Sequence, residues 1–362
     1  MIRIGDFETT KDMRDIVNKI LDSGRITEGP YVKKLEESLQ KYLGVKHVIL
    51  TTNGTLALHM VAYYLKHIEK QVVLFPAMTF PATVNPFMNV GGMRIGLADI
   101  NEDLQINLDS LSEAEKNEAN VIVPVHLMGY TCDMDEIMRQ AKKYDWLIVE
   151  DACEAFGATY KGKKVGTIGD FGCFSFFVSH NLPSGELGAI ATNNTKAAKY
   201  LRSIKNHGRT GDSMQFNHKY VGSNCKTTEF CAGICYAQLK DVDISLRTRW
   251  INASFLKEEI NNPNLEPFPV PEGFSPLGYP IKAKDETYRD YICKKLNDAG
   301  IETRHIFPCL ANQECYKDFG FKKNIHRYQN AVKLEKTVFY VGVHTLLTEK
   351  DLDKIITVIN KG

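Results

Sequence analysis

Short apolar runs, each followed by an amphipathic stretch, recur along the first two-thirds of the chain. This alternation limits the possible folds more than any other feature. Apolar runs occupy 47–51, 71–75, 93–97, 121–125 and 146–149, and helical patterns fall at 55–66, 134–143 and 195–205. Strand then helix, repeated, is the pattern of a mainly parallel sheet covered on both faces. Two further runs, 171–177 and 188–192, read as strands. After residue 237 the pattern changes. A helical stretch over 238–259 carries Leu239, Val242, Leu246, Trp250 and Phe255 near helical spacing, and a loop with Pro263, Pro267, Pro269 and Pro271 follows. A strand near 277–281 and helices over 287–299 and 349–360 complete the chain. The expectation is an α/β domain over 1–237 with a mostly parallel central sheet, and a small α+β C-terminal domain over 238–362. A length of 362 residues suits that division.

Charge excludes some partners. The formal net charge is +1, which gives no reason to expect nucleic acid or an acidic membrane surface. No apolar run approaches the length of a membrane span, and Met1–Glu8 lacks the apolar core of a signal peptide. A cytoplasmic protein is expected. The nine cysteines are odd in number and no export signal accompanies them, so free buried thiols are expected rather than a disulfide framework.

Several segments carry candidate chemistry. In Thr51-Thr52-Asn53-Gly54-Thr55-Leu56 a strand end turns into a helix start, where free N–H groups and the helix dipole suit a phosphate; a plain capped helix reads equally well. Phe80 lies in Pro76-Ala77-Met78-Thr79-Phe80-Pro81 and on its own reads as a core aromatic. In Val149-Glu150-Asp151-Ala152-Cys153-Glu154 an acidic residue ends a strand, where ligands bind in α/β sheets. The run Phe174-Ser175-Phe176-Phe177-Val178-Ser179-His180-Asn181 leads to Gly185-Glu186-Leu187-Gly188, and Gly222-Ser223-Asn224, Arg304 and Phe339–His344 stand further on.

In chain order these segments resemble the DegT/DnrJ/EryC1/StrS family of sugar aminotransferases, which use pyridoxal phosphate (PLP). The resemblance implies a fold-type I PLP-dependent aminotransferase architecture. It implies that Gly54, Thr55 and Ser175 hold the cofactor phosphate, that Phe80 stacks on the pyridine ring and that Asp151 pairs with its nitrogen. Glu154 stands where many family members have glutamine. Asn224 corresponds to an asparagine that reaches the neighbouring subunit's cofactor, which implies a homodimer, and Arg304 falls in the substrate-proximal region. Leu187 departs from the usual glycine. One family member acting on a CDP-sugar holds an iron–sulfur cluster. Cys225, Cys231, Cys235 and Cys173 are the candidates for one here, but the close Cys-x-Cys pair of that enzyme is missing, so no metal is expected.

His180 occupies the place of the family's Schiff-base lysine. An imidazole moves protons but forms no such bond. A histidine there resembles the nucleotide-sugar 3-dehydratase branch. The resemblance implies PLP or pyridoxamine phosphate (PMP) held without a covalent tether, a nucleotide-linked 4-keto-6-deoxy sugar that loses its C3 hydroxyl with His180 as base, and L-glutamate as amino donor. Two alternatives stay open. One is a sugar aminotransferase working with His180 or with a lysine elsewhere, Lys205 and Lys226 being the candidates. The other is a decayed homologue that binds cofactor or partners as a regulator.

Overall fold

Each apolar run that is buried from both sides becomes a strand, because alternate side chains of a strand face opposite ways. In the computed structural model, which describes residues 1–210 and 216–362, the strands are β1 (His47–Thr51), β2 (Val72–Pro76), β3 (Arg94–Ala98), β4 (Val121–Ile122), β5 (Leu147–Asp151), β6 (Thr159–Tyr160), β7 (Lys163–Lys164), β8 (Phe171–Ser175), β9 (Gly188–Thr192), β10 (Leu265–Pro267), β11 (Tyr279–Ala283), β12 (Thr303–His305) and β13 (Val338–Val341). The large sheet has the order β1-β9-β8-β5-β4-β2-β3. Pairs from β3 through β8 are parallel, and β9 runs against both β8 and β1, so six strands share one direction. Ile49 and Ile190 belong to one core cluster, while Val48, Leu50, Ala189 and Ala191 belong to another on the opposite face.

The smaller sheet, β10-β11-β13-β12, is antiparallel throughout. The chain's start joins it. Ile2 bridges Ile301, and the Ile4 N–H donates to Glu302 Oε2 at 3.0 Å.

Two expectations shift. The stretch 238–259 is not one helix. Glu229–Leu239 and Val242–Glu259 are separate, with Lys240 and Asp241 between them. Leu239 and Val242 are three apart, so apolar spacing carries across the break without registering it. A boundary after Ala237 lies in the last turn of Glu229–Leu239. The strand expected over 277–281 starts two residues later, at Tyr279. Residues 275–277 instead cross to the large sheet's edge. There Ser275 N–H donates to Gly129 O at 3.4 Å and Leu277 N–H to Met128 O at 3.3 Å.

That crossing requires an unusual turn. Met128 and Gly129 are both left-handed, with φ of 57° and 93°. A Cβ on Gly129 would stand 1.9 Å from Ser275 O. Gly129→Ala therefore meets both backbone strain and a collision with main chain. It is expected to cost about 2 kcal/mol or more, measured as a lower urea midpoint.

Candidate active site

The parallel strands all end at one edge of the large sheet. Segments leaving β1, β2, β4, β5 and β8 there, with residues of the smaller sheet opposite, enclose a cavity of about 380 Å³. The size suits a small organic ligand, and the place is where open α/β sheets bind them. Gly54, Thr55, Phe80, Asp151, Glu154, Ser175, His180 and Arg304 all line it.

Beyond β1, the Asn53 side chain accepts from Leu56 N–H at 2.9 Å and caps the helix Gly54–His67. The Asn53 carbonyl accepts from Ala57 N–H. The N–H groups of Gly54 and Thr55 open this helix at its positive end, beside the Ser175 hydroxyl. A Cβ on Gly54 would come within 2.8 Å of Ser175 Cβ and 2.9 Å of Cys153 Sγ. The absence of that atom leaves a cradle between three strand ends.

Asp151 ends β5 and is buried. Its Oδ2 accepts from Thr83 Oγ1 at 2.8 Å and its Oδ1 from Cys153 N–H at 3.1 Å. Thr83 is bonded in turn to Thr79 at 2.7 Å. Glu154, three residues further on in the turn after β5, accepts from the Met128 N–H at 2.8 Å. Burial, reinforced by the neighbouring Asp151, pushes its carboxyl up to about 7 against that hydrogen bond. Phe80 is not a core residue. It is 55% exposed and faces Phe307 with ring centroids 5.4 Å apart.

His180 Nδ1 lies 3.2 Å from Ser175 O. A carbonyl only accepts, so Nδ1 carries the hydrogen and Nε2 is left as the basic nitrogen. Burial, with the positive charge of Arg249 adding to it, pulls the imidazole down to about 4 although the Ser175 bond opposes this. The ring is therefore neutral at ordinary pH.

Arg304 donates to Glu302 Oε1 at 3.1 and 2.9 Å, and Tyr340 lines the wall next to it. Asn224 does not line the cavity. It is exposed and bridges Asn206. The two candidate lysines are also elsewhere. Lys205 is buried against Glu28, Glu36 and Leu50 O, and Lys226 donates to Asn206. No lysine is among the described residues lining the cavity. All nine cysteines are free thiols, and Cys153 lines the wall. No metal-holding group of His, Cys, Asp or Glu occurs among the described residues. Nor is any described helix long and apolar enough to cross a membrane.

Sequence reasoning gave no individual role to Thr83, Phe307 and Tyr340, which lie in or beside its candidate segments, and missed Met128 and Arg249. Thr83 had a usable signal: a hydroxyl three residues after Phe80 on the same turn. Met128 had none, because its contribution is a backbone N–H.

The model of the DegT/DnrJ/EryC1/StrS aminotransferase family matches residues 8–360. A GDP-perosamine synthase of Caulobacter vibrioides is 31% identical over 96% of this chain and 94% of its own length. Among solved structures, a histidine-to-asparagine mutant of GDP-4-keto-6-deoxymannose-3-dehydratase (ColD) with bound GDP-perosamine is 26% identical, with a TM-score of 0.90 over 99% of this chain and 100% of that one. The E. coli GDP-4-keto-6-deoxy-D-mannose-3-dehydratase with bound hydrated PLP is 25% identical, with a TM-score of 0.88 over 99% of both chains. The α/β fold-type I architecture expected from the sequence is the fold these structures share with this chain.

The Glu154 carboxyl gives a stability test. Its folded pKa is raised, from an ordinary 4.5 to about 7, so the folded state binds more protons than the unfolded one between those values. Stability from this group is then lost as pH rises through that window. Glu154→Gln keeps a neutral side chain and escapes the loss. Its melting temperature relative to wild type is expected to climb between pH 5 and pH 8. A difference that stays flat with pH would contradict the assignment.

Proposed function

The chain belongs to the DegT/DnrJ/EryC1/StrS aminotransferase family, and from that premise we propose that it is a PLP/PMP-dependent nucleotide-sugar 3-dehydratase. Its substrate in this reading is a GDP-linked 4-keto-6-deoxy sugar, as the names of the GDP-sugar relatives suggest. The observation that carries the reading is His180: a neutral imidazole in the cavity wall, in a site whose described lining has no lysine.

The residues present fit the cofactor. The cradle at Gly54, with the Thr55 N–H and the Ser175 hydroxyl, suits a phosphate. Asp151, its carboxylate oriented by Thr83 and Cys153, suits a protonated pyridine nitrogen. Phe80 offers an exposed ring face. When bound, PMP supplies an amine that condenses with the 4-keto carbon and a conjugated ring that accepts and returns the electron pair expelling hydroxide from C3. His180 Nε2 takes the proton from the cofactor's C4′ carbon, while Ser175 O holds the tautomer. Asp151 keeps its partner nitrogen protonated, and Glu154 and Tyr340 offer hydrogen bonds to oxygen groups in the cavity. Arg304, aligned by Glu302, faces the substrate side. In this reading the amine would leave as ammonia when the product is hydrolysed, and L-glutamate would be the amino donor that replaces it. Asn224, exposed and outside its own cavity, reaches the partner's site in a homodimer.

Greater identity to the perosamine synthase favours a second reading, amino-sugar formation. There the sugar keeps its C3 oxygen and gains an amine. Incubation of the protein with PLP, glutamate and GDP-4-keto-6-deoxymannose separates the two by product mass. Loss of oxygen is expected, and gain of an amine would overturn the dehydratase reading.

His180→Asn should bind PLP as wild type does and lose turnover by about 10²–10⁴-fold. Full turnover in that variant would remove His180 from the chemistry. Borohydride treatment of the PLP-loaded protein should leave the cofactor extractable. A reduced PLP adduct on any lysine of the chain would refute an untethered cofactor.

A further inference from the structure

Arg249 sits on the helix Val242–Glu259 and is 3% exposed. Its hydrogen-bond partners are main-chain carbonyls rather than a carboxylate. Nη1 donates to Pro276 O at 3.5 Å and Leu277 O at 3.3 Å, and Nη2 donates to His180 O at 3.4 Å. Nε is buried without a partner. Burying a guanidinium removes hydration that three long hydrogen bonds replace only in part. An aliphatic residue would fill a helix–loop seam without that cost, so the charge points to something packing alone does not need.

What the charge touches is informative. Its three carbonyls belong to His180 and to the segment 276–277, which reaches the cavity wall at Leu277. The next residue of the loop repeats the connection, since Asn181 Nδ2 donates to Ser275 O at 3.0 Å and Ser275 Oγ at 2.7 Å. Loop and segment are thus clamped twice, and one clamp carries a positive charge.

We propose that Arg249 is a positioning residue for His180: its guanidinium fork fixes the catalytic loop against residues 276–277 and sets a positive charge behind the imidazole. This rests on the reading of His180 as the base. Asp151 at the end of β5, Glu154 beyond it and Glu186 on the His180 loop line the same cavity. Arg304 and Tyr340 line the opposite wall, and His344 lies near Arg249 behind the loop. Arg249 is the cation placed at the loop's rear. Its pull on the His180 titration is in the neutral direction, additional to burial.

The test compares wild type, Arg249→Gln and Arg249→Lys. The His180 ring is observed by ¹⁵N NMR, its signal assigned through His180→Asn, and kcat and KM are measured against pH on the PLP-loaded protein. Wild-type His180 should stay neutral from pH 8 down to about 5. In Arg249→Gln its midpoint should rise by roughly half a pH unit or more, with kcat lower by about tenfold or more and KM changed less than about threefold. Arg249→Lys keeps the charge and loses the fork. It should hold the wild-type midpoint while kcat stays reduced. A folded Arg249→Gln protein with an unmoved His180 midpoint overturns the proposal. If that variant does not fold, Arg249→Lys decides: a wild-type kcat there overturns the clamp. The NMR midpoint does not depend on which reaction is catalysed. A failure of the dehydratase reading, seen in product mass or in full turnover by His180→Asn, is therefore read separately.

Discussion

Three strand ends meet closer at Gly54 than any side chain would permit. A Cβ there would overlap Ser175 and Cys153, so the loops after β1, β5 and β8 share one small volume only because position 54 is bare. Everything chemical follows from that approach. It brings a helix's positive end beside the Ser175 hydroxyl. It sets Asp151 and Glu154 on the floor and lets the His180 loop close the side. The sheet supplies the rigidity: six strands in one direction, packed between core clusters on both faces, end along one edge.

A second contact joins this frame to the smaller sheet. The left-handed turn at Met128 and Gly129 aims one N–H at Glu154 and two carbonyls at residues 275 and 277. Those residues are held from the other side by Asn181 and Arg249. Glu154 and His180 are thus tied through one short segment that contributes little chemistry itself. Backbone strain placed beside an active site is a known way to fix geometry that ordinary turns do not reach.

Much of this was legible in the sequence, for physical reasons that differ by element. Strands β1, β2, β3, β5 and β9 were visible because two-sided burial makes them short, continuous apolar runs. Asp151 was visible because an acidic residue closing such a run has a defined place at the sheet edge. Phe80 was ambiguous, since an aromatic residue looks the same in sequence whether it fills a core or a cavity wall; only its exposure beside Phe307 decides. The break at Lys240 and Asp241 was hidden by apolar spacing that runs through it. Met128 and Arg249 were invisible for a deeper reason. They act through main-chain atoms, their own or their partners', and a residue letter carries no information about which carbonyl lies across a fold.

Glu302 shows what the joined ends of the chain imply for time rather than space. One of its carboxylate oxygens receives the Ile4 N–H and the other receives Arg304. The side chain that orients a cavity-lining arginine is therefore fastened to a residue almost three hundred positions earlier in the chain. A nascent chain can complete the large sheet while Ile2 and Ile4 still wait for the segment at β12 to be made. Contacts of such sequence separation form late and slowly. The cavity acquires its far wall only once β12 has been made, so chains that stop before it carry the Gly54 cradle without the wall opposite it.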